Sequence, residues 1–162
     1  MKKRIKRILE RRRMENKTDY DSRLALLKSG KPRFVVRKTN KYLILQVVES
    51  KDLKDFIKAS FNTKDLSKQG LKESFNSTMA SYLGGYAVAK KALKVGIKEA
   101  NADFGLQTST KGSKLYASLK GAIDAGLKIS CDEKMFPKQE RIEGKNLKND
   151  KAKIFSEIKS KL

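Results

Sequence analysis

The chain predicts an α/β fold in which a mixed sheet packs with helices. Two β-rich runs lie in tandem at 33–38 and 41–48. Two segments with apolar residues at helical spacing follow, near 75–96 and 113–125, with a short strand-like stretch between them at 97–104. Strands first, then helix, strand and helix, is the order that builds a mixed sheet with helices against it.

A helix precedes the sheet. Thr18-Asp19-Tyr20-Asp21 reads as its start, with Thr18 as N-cap and Asp21 as a weaker capping-box acid. Tyr20, Leu24 and Leu27 recur at i, i+4 and i+7 and predict one apolar face, which anchors the preceding arm to the body. Gly30 suits a left-handed cap, and Pro32 blocks continuation.

Next comes a hairpin. Asn tolerates the left-handed backbone of a tight turn, so Thr39-Asn40 is the expected two-residue loop, although Thr is a poor first turn residue. Lys38 then faces Lys41, Phe34 opposes Leu45 and Val36 opposes Leu43 on an apolar face. The other face pairs Arg33 with Gln46, Val35 with Ile44 and Arg37 with Tyr42. Cations, an aromatic ring and an amide together suit phosphate contact and stacking. The competing reading of that face is an ordinary half-exposed strand. A third strand is expected through Phe56–Phe61.

The long helix carries Phe75, Met79, Tyr82 or Leu83, Tyr86 and Leu93 at helical spacing. Gly84-Gly85 interrupts it at a cost of about 1 kcal/mol per glycine relative to Ala. Close approach of a second backbone is the expected reason for the pair. In the second helix Leu115, Leu119, Ala122 and Ile123 form the apolar face, and Gly126 is the stop. Ile154, Phe155, Ile158 and Leu162 make a last amphipathic stretch, fit to dock on RNA or a neighbour.

Charge is the second guide. Lys and Arg number 39 against 18 Asp and Glu, a formal net of +21 over 162 residues. Residues 1–17, 28–41 and 145–162 carry +7, +6 and +4, together 17 of the excess charges, which leaves the rest nearly balanced. Such a chain is relieved of self-repulsion by a dense polyanion. Nucleic acid fits, because each neutralised phosphate releases counterions. An anionic membrane is the competitor, yet no stretch approaches the roughly 18 consecutive apolar residues of a spanning helix. The Arg-rich start with Ile5, Ile8 and Leu9 has some features of a mitochondrial presequence, but Glu10, Glu15 and the lack of serine there argue for mature protein. Three expected domains follow: a basic RNA-binding arm at 1–17, an α/β core at 18–145 and a Lys-rich tail at 146–162.

Catalysis is disfavoured. The chain has no histidine, which removes the usual general base near neutral pH and the commonest zinc ligand. Cys131 stands alone, so no internal disulfide forms. Asp103, Asp124 and Asp52 are the carboxylates a metal-dependent nuclease would need, but nothing in their spacing requires convergence. No cofactor and no small-molecule substrate are expected. The loop Thr108-Ser109-Thr110-Lys111-Gly112-Ser113-Lys114 offers hydroxyls, lysines and helix N-terminal N–H groups to a phosphate. It lacks the first glycine and the spacing of a nucleotide P-loop. A simple helix cap is the other reading.

Several ordered motifs carry a family resemblance. Lys17-Thr18-Asp19-Tyr20, Arg23, Leu26-Leu27-Lys28-Ser29 and Gly30-Lys31-Pro32-Arg33 lead into Val35-Val36-Arg37-Lys38, Asn40-Lys41 and Gln46. Thr110-Lys111-Gly112-Ser113, Leu119-Lys120-Gly121-Ala122, Asp124-Ala125-Gly126-Leu127, Phe136-Pro137, Glu140-Arg141-Ile142 and Gly144 continue the match. Over roughly residues 11–146 the chain resembles the universal large-subunit ribosomal protein family numbered eighteen, in its archaeal form. Departures are Gln107-Thr108-Ser109 where the family is expected to carry His-Arg-Pro, and Tyr42 in place of a usual histidine.

The resemblance implies a ribonuclease-H-like core without that enzyme's active site, and a cytoplasmic ribonucleoprotein role without catalysis. Implied partners are 5S rRNA, the large-subunit rRNA and a neighbouring 5S-binding ribosomal protein in the central protuberance, with no membrane. With the charge map, it assigns to RNA Arg4, Arg7, Arg11, Arg12, Arg13 and Lys17 of the arm, and Arg23, Lys28 and Lys31 beyond it. Arg33, Arg37, Lys38, Asn40, Lys41, Tyr42 and Gln46 of the hairpin join them, with Thr110, Lys111 and Ser113 of the loop. A general basic nucleic-acid-binding protein of the chromatin type is the alternative, resting on charge alone.

Overall fold

The computed structural model describes residues 9–52, 54–71, 74–145 and 151–162. Four strands form one sheet: β1 (Arg33–Lys38), β2 (Leu43–Lys51), β3 (Lys54–Asn62) and β4 (Asn101–Asp103). Their spatial order is β3-β2-β1-β4, with β4 parallel to β1 and the other pairs antiparallel, so the sheet is mixed as the segment order predicts.

The helices are α1 (Arg11–Met14), α2 (Tyr20–Lys28), α3 (Thr78–Lys94), α4 (Lys114–Asp124), α5 (Gln139–Glu143) and α6 (Lys151–Lys161). A 3-10 helix at Thr63–Gln69 links β3 towards α3. The chain leaves β3, crosses through α3 and returns as β4 beside β1. A parallel neighbour requires such a crossover, because a tight hairpin returns only an antiparallel strand.

The hairpin turn differs from expectation. Thr39 N donates to Tyr42 O at 2.9 Å, and Thr39 Oγ1 also accepts from Tyr42 N at 3.1 Å, so the loop is Asn40-Lys41. The pairs are Phe34 with Val47, Val36 with Leu45, Arg33 with Val48, Val35 with Gln46 and Arg37 with Ile44. This register is two residues from the expected one. An even shift keeps every side chain on its face, because strand periodicity is two. Phe34, Val36, Leu43, Leu45 and Val47 are all fully buried on the apolar face. Asn40 does not adopt positive φ, so its left-handed tolerance is unused. Asn76 Nδ2 clamps the turn instead, donating to Thr39 O at 3.2 Å and Asn40 O at 3.0 Å.

Helix α3 lies between the sheet and α4, and twelve of its 17 residues are buried. Ser77 caps it, accepting from Ala80 N at 3.1 Å. The glycine pair divides its labour. A Cβ on Gly85 would overlap the Ser118 carbonyl of α4, and one on Gly121 would overlap the Tyr82 carbonyl of α3. Two glycines thus bring the helix backbones into direct contact. Gly84 faces the sheet, where a Cβ would press on the Leu45 side chain.

Two expected elements differ in role. The N-cap of α2 is Asp19 and not Thr18: its Oδ1 accepts from Asp21 N and Ser22 N. Asp19 directly precedes Tyr20, the first helical residue, whereas Thr18 lies one residue too early and its Oγ1 accepts from Arg12 Nε at 2.9 Å. Helix α2 buries no residue, with Leu24 51% and Leu27 37% exposed, so its apolar face does not anchor the arm. The anchor is ionic, Arg23 Nη2 to Asp55 Oδ2 at 3.0 Å. The second difference is the C-terminal segment, expected as a tail outside the core. Residues 151–161 form α6, and Phe155 and Ile158 are buried in the core cluster. Burial of each contributes about 1.5–3 kcal/mol.

Candidate nucleic-acid interface

The second face of the sheet carries the hairpin arginines, and tertiary packing turns them inward. Arg33 is 3% exposed. Its Nη1 donates to Asp103 Oδ2 at 3.0 Å, and its Nη2 lies 2.7 Å from Asp55 Oδ1. Arg37 Nη2 reaches the other Asp103 oxygen at 2.9 Å, and its Nη1 donates to Asp103 O at 2.8 Å. Burial pushes the Asp55 carboxyl up, but hydrogen bonds from Ser50, Arg33 and Arg23 outweigh it and hold the pKa down at about 2. Arg33, assigned to RNA by sequence, therefore spends its guanidinium on two carboxylates. Its buried cation would be costly without them. Arg37 stays partly open, with its side chain 41% exposed.

The three carboxylate candidates lie apart in separate surroundings. Asp103 is neutralised by two guanidinium groups, and Asp124 accepts from Tyr82 Oη at 2.7 Å and pairs with Lys120 at 3.1 Å. Asp52 sits exposed at the β2–β3 turn with φ 49°. Among the described residues no three His, Cys, Asp or Glu side chains group to hold a metal ion.

Two adjoining clefts collect several of the other cations. A cleft of about 720 Å³ lies between the arm, α2 and the stretch after β4, and Arg12, Lys17, Arg23 and Arg37 line it. A second, of about 460 Å³, lies where β1 ends and α4 begins, lined by Lys38, Thr110, Ser113, Lys114 and Arg141. Leu106 and Gln107 border both. The Thr-Lys-Gly-Ser loop is held here by Gly112 N donating to Met135 O at 2.9 Å, with Gly112 at φ 69°. Lys114 Nζ donates to Asn76 Oδ1 at 3.3 Å, which ties the start of α4 to the clamp on the hairpin turn.

Most assigned residues fall on this end of the molecule. Lys38, Asn40 and Lys41 are exposed at the hairpin tip, with Tyr42 half-buried beside them. Thr110 and Lys111 are exposed on the facing loop, and Ser113 is half-buried. Arg11 and Arg13 are exposed, near Glu15 at 3.9 Å and Asp21 at 3.5 Å respectively, and Lys17 pairs with Glu15 at 2.7 Å. Lys31 is elsewhere, before the start of β1 and 3.0 Å from Glu99, while Lys28 is exposed at the end of α2. Gln46 is half-buried on the second sheet face opposite Val35. Arg4 and Arg7 lie outside the described residues. Sequence reasoning had Lys114 in the loop read as a phosphate seat but missed Arg141 and Asn76 as parts of the site. Neither lies near that loop in sequence, and both arrive from distant segments.

A mixed sheet packed with helices, a basic arm and an end lined by lysines and arginines define an α/β protein of the polyanion-binding kind. Comparison with known proteins agrees. The family model described as ribosomal large subunit proteins 60S L5 and 50S L18 matches residues 3–102. The large ribosomal subunit protein uL18 of Korarchaeum cryptofilum is 45% identical over 147 residues, covering 91% of this chain and 75% of that one. That of Thermofilum pendens is 40% identical over 96% of this chain and 79% of its own length. That of Methanothermobacter thermautotrophicus is 42% identical over 85% and 71%. The chain belongs to this ribosomal protein family. No described helix is long and apolar enough to cross a membrane.

Proposed function

We propose that the protein is a structural constituent of the large ribosomal subunit that binds 5S rRNA and helps attach it to the large rRNA in the central protuberance. It acts there in the cytoplasm, beside another 5S-binding ribosomal protein, and catalyses nothing. Family membership supports the ribosomal setting. The observation that carries the binding reading is the meeting of the hairpin tip and the Thr110–Ser113 loop at one cationic end of the fold. Phosphate contacts from Lys and Arg fix register on RNA, while hydroxyl and amide groups read ribose and base edges.

In this reading residues 1–17 are an RNA-binding arm. The core begins at about residue 18 and, with α6 docked on it, extends to the C-terminal helix. Arg37, Lys38, Asn40, Lys41, Tyr42, Thr110, Lys111 and Ser113 face RNA from the sheet end. Arg11–Arg13, Lys17, Arg23 and Lys28 flank it, with Arg4 and Arg7 continuing the arm, and Gln46 and Lys31 are peripheral.

The test is a competition: labelled 5S rRNA and the purified protein, with excess tRNA or duplex DNA, at about 0.2 M salt, where nonspecific phosphate binding is weakened. A surviving complex is expected. Equal affinity for every competitor would instead favour a general basic nucleic-acid-binding protein.

A further inference from the structure

Lys38, Lys114 and Arg141 come from the end of β1, the start of α4 and the middle of α5, and they line one cleft. None has a carboxylate partner among the described residues. Elsewhere the fold pairs its inward-facing cations, as with Arg33 and Asp103 or Lys120 and Asp124. Like charges gathered without a counter-charge repel, and the effect registers at Lys114. Burial, then the charges of Lys38 and Arg141, push its ammonium below the ordinary lysine range.

Two residues that line the same cleft also hold a buried polar atom without a partner, beneath its surface. Ser113 has the backbone of an N-cap, φ −75° and ψ 167°, yet makes no cap hydrogen bond. Its Oγ is buried without a partner. An N-cap serine normally accepts from the second or third N–H of the helix, so here both hydroxyl and helix end are left for something else. Gln107 Oε1 is likewise buried and unpartnered. Orphan polar atoms in a native interior signal a missing partner.

We propose that this cleft holds one ribonucleotide unit, its phosphate on Lys38, Lys114, Arg141 and the Ser113 hydroxyl, and its ribose 2′-hydroxyl donating to Gln107. The choice of RNA as the phosphate source rests on the binding function proposed above. It has support in the chemistry of the cleft: three cations and a hydroxyl want an anion, but the bare carbonyl of Gln107 wants a donor. A phosphodiester beside a 2′-hydroxyl supplies both, whereas inorganic phosphate supplies only the first and DNA offers no hydroxyl at that place on its sugar. The Lys114–Asn76 hydrogen bond further makes the site part of the hairpin tip, so filling it would set the tip's position on RNA.

Two measurements test this. In 5S rRNA binding, K114Q and R141Q should each weaken affinity about tenfold, near the worth of one charge-assisted hydrogen bond. Because the cations share one phosphate, the double variant should lose only about one unit of salt slope. K128Q, an exposed charge away from the cleft, is the control and should keep the wild-type slope. Separately, the amides of residues 107–115 in the intact protein are followed by NMR against inorganic phosphate, a diribonucleotide and its 2′-deoxy analogue. The expected order of shifts is diribonucleotide above deoxy analogue and inorganic phosphate, lost in the K114Q/R141Q variant and levelled in Q107L. Shifts in these amides without any 5S binding would sink the ribosomal reading and leave the site standing. Wild-type 5S slopes in both variants with silent amides would overturn the site while 5S recognition survived. Equal response to ribo and deoxy ligands would remove the ribose contact.

Discussion

Arg33 and Asp103 meet across the parallel pair of β1 and β4, with Nη1 3.0 Å from Oδ2 and side chains only 4% and 7% exposed. The pair sits at the junction that closes the crossover, so it joins segments 70 residues apart. Breaking one partner of a buried pair strands the other charge.

Arg33→Ala should therefore destabilise the fold by about 3 kcal/mol, the low end for a broken buried pair because Arg37 still attends Asp103. Urea denaturation measures this. The salt slope of 5S binding should be unchanged, and a fall of about one unit would return Arg33 to the RNA face.

Asp55 provides a pH signature. Its folded pKa of about 2 lies below the unfolded value near 3.9, so its contribution is present above about pH 4 and lost as pH falls through about 2. Asp55→Asn should flatten the stability curve across that window. With the side chain 36% exposed, solvent screening limits the loss at neutral pH to roughly 1 kcal/mol. Urea midpoints across acid pH check both points; an unaltered acid limb would exclude Asp55 as its source.

The glycine pair should separate sharply. Gly85→Ala drives a methyl into the Ser118 backbone, which cannot yield without moving α4, and overpacking of this kind costs about 1–3 kcal/mol or more. Gly84→Ala presses chiefly on the end of the Leu45 side chain and should cost less. Thermal melts of the two variants give the order, and a reversed order would contradict the helix crossing.

Ile158 tests whether α6 belongs to the core. It is 1% exposed, and Ile158→Ala should cost about 2–5 kcal/mol through lost burial and a residual cavity. Equilibrium unfolding that is indifferent to the change would make α6 an appendage.

The strands, α3, α4 and the apolar hairpin face were legible in sequence because each follows from local periodicity. Phe34, Val36, Leu43 and Leu45 alternate with a period of two, and that pattern survives even a wrong register. Gly84-Gly85 likewise announced a close helix approach, though only the fold assigns Gly85 to α4 and Gly84 to the sheet. Leu24 and Leu27 show the limit: helical spacing predicts a face but not what covers it, and both are exposed.

Charge density and motif order by themselves determined that this protein meets a polyanion and which family it joins, since composition and spacing need no third dimension. Which cations are available was decided by tertiary structure alone. Arg33 and Arg37 stand four residues apart with similar prospects in sequence, yet Asp103 and Asp55, from distant strands, bury one and leave the other partly open. Lys114 and Arg141 gain their place in the cleft by the same logic. Electrostatic energy depends on distance through space and on exclusion of water, and neither is a property of neighbours along the chain.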